Sequence, residues 1–396
     1  MRVMFIQGGS RWKFDDKGNV YTDANFNDEI WDRYRKYGNE LVVVLRRETT
    51  VYSQYDAMHK FNLFNKELSG FISLPDIYNP LTNYFNPQIH QEIEKTIRRE
   101  VELADRIIIR SIGTIYTNIA LKWARRLNKK YLVEETGFSF EALWYHSFHG
   151  KFVALQNEYS TRRLMKDVPL AIYVTNEALQ KRYPCKGKSI GCSDVQVITN
   201  DEDYLDRIKR INSKKSKIVF GTAAFLDVGW KGQKYVIEAI SELKKKGITE
   251  IEYQMIGSGT GNDLKRIITK LGVDDQVKII GALPHSEVYD WLKTIDVYIQ
   301  PSFMEGLCRS IVEAMSKACP VICSDVGGNY ELVDKNCMFT KGKVDEISTK
   351  IEMMLDTNVQ RDKAKKNFDK AKEYNKNILD AKREQFYKEF LKGEEN

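Results

Sequence analysis

The sequence predicts an α/β protein made of two doubly wound domains with parallel sheets, and three observations predict it. Short β-branched apolar runs alternate with long, charge-studded amphipathic stretches along the whole chain. Most of those runs are continuously apolar, the pattern of strands covered on both faces by helices. The 396 residues divide, at about 150 per domain, into two or three units, each large enough for its own core.

In chain order, the first unit offers strands at Arg2–Gln7, Leu41–Leu45, Arg106–Arg110, Lys130–Glu134 and Leu170–Thr175. Asn200–Lys217 reads NDEDYLDRIKRINSKKSK, charged and poor in bulky apolar residues, and a buried run starts straight after it. The chain is therefore divided into a first domain, 1–205, and a second, 206–375. In the second, strands are expected at Lys217–Gly221, Ile251–Ile256, Val277–Ile280, Asp296–Gln300 and Pro320–Ser324. Helices such as Gln233–Lys246 and Ser286–Lys293 lie between them, and repeated β–α order calls for parallel strands. Arg361–Lys392 is highly charged yet keeps Phe368, Tyr374, Ile378, Phe386, Tyr387 and Phe390. It reads as helices packed by one stripe, with 376–396 as a last helix.

Composition narrows the function. With 42% hydrophobic and 11% aromatic residues, the chain is neither disordered nor low-complexity. The balance of 62 basic against 55 acidic residues, +7, is too mild to argue for nucleic acid. It suits an anionic substrate or the anionic face of a membrane. The six cysteines form no C-x-x-C pair, which favours buried thiols in a reducing compartment. Met1–Gly9 lacks the features of a secretory leader, and no run approaches the roughly 18 apolar residues of a membrane span. A cytoplasmic protein is expected.

The chemistry concentrates in Pro301–Val333, PSFMEGLCRSIVEAMSKACPVICSDVGGNYELV. A strand ends near Gln300, a loop carries Glu305 and Gly306, and a helix begins at about Leu307. A helix entered through glycine presents unpaired N–H groups and a positive dipole end, an anion site that a phosphate can approach closely. Glu305 and Glu313 stand eight positions apart, roughly 12 Å along a helix. Taken alone, the two carboxylates either bracket a bound diphosphate and its sugar hydroxyls, or cap the helix and line a solvated face. Lys231, before Gly232, is either a cation for two phosphates or a surface lysine.

The stretch EGLCRSIVEAMSKACPVICSDVGGNYELV, including Asp325, Gly327, Gly328 and Glu331, resembles the E-x7-E signature of family 4 of the retaining glycosyltransferases, which have the GT-B fold. The resemblance implies two Rossmann-like domains facing across a cleft, with the last helix crossing back onto the first domain. It implies that Glu313 holds the ribose, that Glu305 contacts the transferred sugar, and that the amides of Gly306, Leu307 and Cys308 hold the diphosphate. GTAAFLDVGWKGQ (Gly221–Gln233) is similar to the family's first strand and loop of the donor domain. There Lys231 matches the lysine that neutralises diphosphate, and Thr222 joins the donor set. The arginine many members place soon after that glycine is missing here, so either Lys231 works with the helix N-terminus alone or a cation such as Arg309 or Arg110 substitutes. Gly257, in the IGSGTGND loop, and Leu283, in GALPHSEV, match positions near the nucleotide and base. His285 there reads as a helix-start residue. Gly9, in the pair after the first strand, is expected to face the donor phosphates.

YLVEETGFSFEALWYHSFHGK (Tyr131–Lys151) resembles a run in bacterial polysaccharide transferases. By position Glu134 is the candidate beside the reacting carbon, with His146 and His149 second, and Arg110 is placed on the acceptor side. Asp201 and Asp203 spell the D-x-D of metal-dependent transferases but sit in the expected linker, as a solvated turn, so no metal is expected. Tyr145, Phe148 and Phe152 lie near Lys151, Arg162, Arg163, Lys166, Lys181 and Arg182. These are either core aromatics with solvated cations or a surface for anionic lipid.

The resemblance therefore implies a metal-independent retaining hexosyltransferase. It would take a UDP-sugar or GDP-sugar donor, UDP by default, and use no cofactor. The acceptor would be a hydroxyl of a glycan or lipid-linked glycan. The protein is expected in the cytoplasm, and peripheral at the inner face of the cell membrane where the basic, aromatic residues form the lipid-facing surface rather than core. A GT-B sugar-nucleotide epimerase and a non-catalytic nucleotide-sugar-binding partner subunit are the alternatives. A two-lobed sugar-binding protein would share only the layout.

Overall fold

The computed structural model describes residues 1–23, 26–146 and 148–392. The side chains of His146 and His285, both weighed above, lie outside the described residues. Nine strands form the first sheet: β1 (Arg2–Asp15), β2 (Val20–Thr22), β3 (Glu40–Tyr52), β4 (Asn62–Leu63), β5 (Gly70–Leu74), β6 (Arg106–Arg110), β7 (Lys130–Glu135), β8 (Leu170–Tyr173) and β9 (Lys188–Gly191). β5, β3, β1, β6, β7, β8 and β9 lie side by side in that order, all parallel. β2 and β4 add an antiparallel extension beside the far half of β1. The second sheet has β10 (Ile218–Ala223), β11 (Ile251–Ile256), β12 (Val277–Gly281), β13 (Val297–Gln300), β14 (Val321–Ser324) and β15 (Met338–Phe339). Its order is β12-β11-β10-β13-β14-β15, again parallel.

Both sheets follow one plan. The unit's first strand is central, the next two step to one side, and the later strands step to the other. Between β1 and β6, and between β10 and β13, successive connections diverge and leave a crevice at the carboxyl ends, where ligands of open α/β sheets bind. The apolar runs are continuous because both faces are covered. Along β1, Val3 and Phe5 enter one buried cluster while Met4 and Ile6 enter the other. All six cysteines are unpaired, and five of them are buried. Among the described residues no helix is long and apolar enough to cross a membrane.

Two local expectations change. The first strand does not stop at Gln7: β1 runs on to Asp15, with a register shift against β3 between Ile6 and Arg11 that absorbs Gly8 and Gly9. Nor is Asp201-x-Asp203 a solvated turn. It is the first turn of helix Asp201–Asn212, capped by Asn200, and Asp203 pairs with Lys317 at 2.7 Å. That helix is held from below by Arg207, whose guanidinium donates to the carbonyls of Leu292, Ile295 and Lys317.

The chain passes between the units twice, side by side. Lys376 N donates to the Val197 carbonyl at 2.9 Å, and Thr199 N donates to Asn375 Oδ1 at 2.8 Å. After the second crossing, helix Lys376–Leu391 packs on the first unit. Tyr387 stacks on Tyr37 with ring centroids 4.1 Å apart, and Arg106 donates to the Phe390 carbonyl at 2.9 Å.

Candidate active site

The crevice between β10 and β13 brings Lys231 and Glu305 together. Lys231 ends a 3-10 turn (Gly229–Lys231) that closes on Gly232, at φ +77. A Cβ on Gly232 would collide with the Pro301 carbonyl, so glycine lets the β10 loop lie directly on the loop after β13. Phe303 N donates to the Trp230 carbonyl at 2.8 Å, joining the two loops. Lys231 Nζ reaches Glu305 Oε1 at 2.8 Å and lies 4.5 Å from the centre of the Trp230 ring. The two side chains are 15% and 13% exposed, shielded yet open to the cleft.

A buried polar chain supports the pair. Tyr298 OH donates to Gln300 Oε1 at 2.7 Å, and Gln300 Nε2 donates to Ser302 Oγ at 2.7 Å and to Glu305 Oε1 at 3.4 Å. Sequence reasoning missed Gln300. Its only sequence signal is a polar residue closing an otherwise apolar strand.

The helix after this loop runs Arg309–Ser316, starting two residues later than expected, with Cys308 at the N-cap and no side-chain cap. Burial pushes the Cys308 thiol up to about 12, so it stays neutral and only its amide can serve an anion. Gly306 is glycine for a reason other than a ligand: a Cβ there would collide with the Thr136 carbonyl of the first unit. Its own carbonyl accepts from Gly328 N at 2.7 Å. Glu313 stands half-buried on the helix, near Tyr289, whose phenol is raised by burial and then by that carboxylate.

Other candidates are positioned less openly. Thr222 is fully buried: its hydroxyl donates to the Ile299 carbonyl at 2.6 Å and accepts from Tyr253 OH at 2.8 Å. Leu283 packs half-buried against the core. Gly257 sits at φ +146 where a Cβ would strike the Ala224 carbonyl. In the same loop the amides of Thr260 and Gly261 donate to the Asp227 carboxylate at 2.7 and 2.8 Å. These bonds hold the Asp227 carboxyl below its usual range, so the glycine loop already carries an internal anion. Gly9 is an exposed residue of β1 whose carbonyl accepts from Arg46 at 3.0 Å.

Glu134 and Arg110 are not brought to this crevice. Glu134 is buried beneath helix Lys376–Leu391 and accepts from Tyr34 OH at 2.6 Å, Arg110 at 2.8 Å and Tyr387 OH at 2.8 Å. Arg110 also pairs with Asp194, which Arg33 meets at 3.2 Å and Arg383 at 3.5 Å. Burial alone would raise the Asp194 carboxyl, but Arg110, Arg33 and Arg383 hold it well below the usual range. Glu135, next along and on the other face of the strand, accepts from the amides of Ile112 and Thr136 at 3.2 Å. Burial pushes its carboxyl up to about 8.

The two units are clasped. Glu331, in the turn after Gly327–Gly328, accepts from the amides of Asn176, Glu177 and Ala178 of the first unit at 2.6, 3.0 and 2.7 Å. Beside the clasp lies a cavity of about 430 Å3. Glu141, Arg162 and Arg182 of the first unit face Phe303, Glu305 and Lys341 of the second across it.

Residues 204–371 match the family described as glycosyl transferases group 1. Protein CapJ of Staphylococcus aureus is 30% identical over 342 residues, 86% of this chain and 82% of its own length. Among solved structures, Anabaena HepE in complex with UDP and glucose superposes with a TM-score of 0.64 at 17% identity, covering 98% of this chain and 99% of that one. WaaG, a glycosyltransferase involved in lipopolysaccharide biosynthesis, gives 0.60 at 12%, covering 96% and 98%. The chain belongs to the group 1 glycosyl transferases, and its fold is GT-B.

Proposed function

We propose that this group 1 glycosyl transferase is a family 4 enzyme that moves a hexose-type sugar, with retention, from a nucleotide-diphosphate sugar to a hydroxyl acceptor. The acceptor is a glycan or lipid-linked glycan in surface polysaccharide or glycoconjugate synthesis, and UDP is the default nucleotide. The likeness to CapJ and the UDP-bound HepE neighbour support this reading. The observation that carries it is the Lys231–Glu305 pair in front of helix Arg309–Ser316, at the crevice between β10 and β13.

When the donor's glycosidic bond to phosphate breaks, negative charge grows on the leaving diphosphate. Preorganised positive charge there lowers the barrier most. Lys231 and the amides of Gly306, Leu307 and Cys308 supply it, so no metal is required and EDTA leaves turnover unchanged. Glu305, which holds Lys231 before the donor arrives, turns to the sugar hydroxyls once phosphate shares that ammonium. Glu313 holds the ribose. The acceptor hydroxyl attacks from the face the diphosphate leaves, its proton passing to the departing phosphate oxygen, and closure of the two units limits attack by water. The protein works in the cytoplasm, peripheral at the inner membrane face.

Calorimetry with UDP and GDP, followed by turnover on a panel of nucleotide sugars, tests the reading. The anomeric coupling of the product is then read by NMR. UDP release with a retained anomer is expected. An inverted product, or an isomerised donor with no UDP released, overturns it.

A further inference from the structure

Helix Phe148–Lys166 is packed inside out. Its buried positions are Gly150, Ala154, Glu158, Thr161 and Met165. The large apolar side chains point outward: Phe148, Phe152, Leu155 and Tyr159 are 69%, 73%, 71% and 70% exposed. Their spacings of four, three and four set them in one stripe along the helix. A soluble helix normally turns such a stripe to its core, and a contiguous exposed apolar stripe marks a contact surface.

Charge selects the occupant. Lys151, Arg163 and Lys166 are exposed on the same helix, beside Arg162, which is paired with Glu158. Its only carboxylate, Glu158, is buried and taken up by Arg162, Arg182, Tyr183 and Ser139. The exposed face of this helix therefore carries apolar and cationic side chains and no carboxylate. A second copy meeting it across a two-fold would set like charges together. A bilayer of anionic phospholipid takes both the apolar stripe and the cations.

We propose that the outer face of helix Phe148–Lys166 is the surface on which the protein rests on an anionic phospholipid bilayer. The placement bears on the acceptor, and this part rests on the function proposed above. Arg162 belongs to this helix and also lines the cavity between the two units. The mouth of the cleft is thus set at the lipid surface, where an acceptor hydroxyl carried on a lipid reaches the donor without leaving the bilayer.

Flotation of the full chain with vesicles tests it, comparing pure phosphatidylcholine with a mixture containing phosphatidylglycerol. Binding to the anionic vesicles alone is expected, weakened at high salt. The double variant Phe152→Ser/Leu155→Ser should lower the bound fraction about tenfold. Arg163→Glu/Lys166→Glu should lower it on the order of a hundredfold. All these positions are exposed and outside the donor site, so unchanged thermal unfolding and unchanged UDP affinity by calorimetry are expected for both. Equal partition to neutral and anionic vesicles, no partition, or a dimer that Phe152→Ser/Leu155→Ser dissolves overturns the proposal. Failure of the wild-type chain to bind any nucleotide would instead sink the donor reading, leaving the vesicle result to decide the surface.

Discussion

Two cation–carboxylate pairs of the same length sit at the carboxyl ends of the two sheets, and their surroundings differ. Lys231–Glu305 and Arg110–Glu134 are each 2.8 Å across. Both contacts of Glu305, from Lys231 and Gln300, fall on Oε1, and the pair lies between two loops at a crevice. Glu134 has partners on both oxygens, two of them tyrosine hydroxyls, and a helix lies over it. An equal distance thus says nothing about role. What separates a site pair from a strut is how much of the carboxylate is already spoken for and whether a ligand could reach it.

The contrast can be broken by measurement. The largest effect should come from Glu134→Ala, which leaves Arg110 and two tyrosine hydroxyls buried without their acceptor. Stability in urea should fall by about 3–5 kcal/mol, while the remaining folded protein keeps its affinity for UDP. A stable variant that has lost turnover would move Glu134 into the chemistry.

Lys231→Ala and Glu305→Ala should do the reverse. Turnover should fall about 10²–10³-fold, roughly 2.7–4 kcal/mol in the barrier, with a smaller loss of stability than in Glu134→Ala, because the partner left behind opens to the cleft. Unfolding comparable to that of Glu134→Ala would make both pairs struts.

Glu135 sharpens the comparison because it is a buried carboxyl held by amides alone. Folding raises its pKa to about 8 from the ordinary 4.5, so above pH 4.5 the folded chain holds a proton that the unfolded chain releases. Its contribution to stability is complete below that point and is lost as pH rises toward 8, on the order of 3 kcal/mol between pH 5 and 8. Glu135→Gln should flatten that fall in urea titrations, and an unchanged slope would assign it to other groups.

The smallest effect is expected at the clasp. Glu331→Gln keeps one acceptor oxygen and loses the charge facing three amides, weakening closure by about 1–2 kcal/mol. Donor hydrolysis should rise relative to transfer, with donor affinity unchanged. A transfer-to-hydrolysis ratio equal to the wild type would remove Glu331 from closure.

Much of this was legible before any coordinates. The strands announced themselves because strands covered on both faces cannot hide polar residues, and Lys231 and Glu305 sat in runs specific enough to pick out. What stayed hidden shares one physical character. The partners of Glu134 lie 24, 100 and 253 positions away in sequence, so no local pattern shows that it is covered. Which of two adjacent glutamates faces which side depends on strand parity at the very end of β7. Glu331 is clasped by backbone amides, which leave no mark in a sequence. Gly8 and Gly9 read as the end of a strand, because a glycine pair marks a loop and a bulge within a strand alike.

The helix Lys376–Leu391 sets an order of events during synthesis. Tyr387 and Arg383 complete an ion cluster whose other members, from Arg33 to Asp194, emerge from the ribosome much earlier. At roughly 5–20 residues per second, the intervening chain takes about ten to forty seconds to make. Through that interval the first domain carries Glu134, Arg110 and Asp194 without their lid. Completion of the first domain therefore waits on the second having been made.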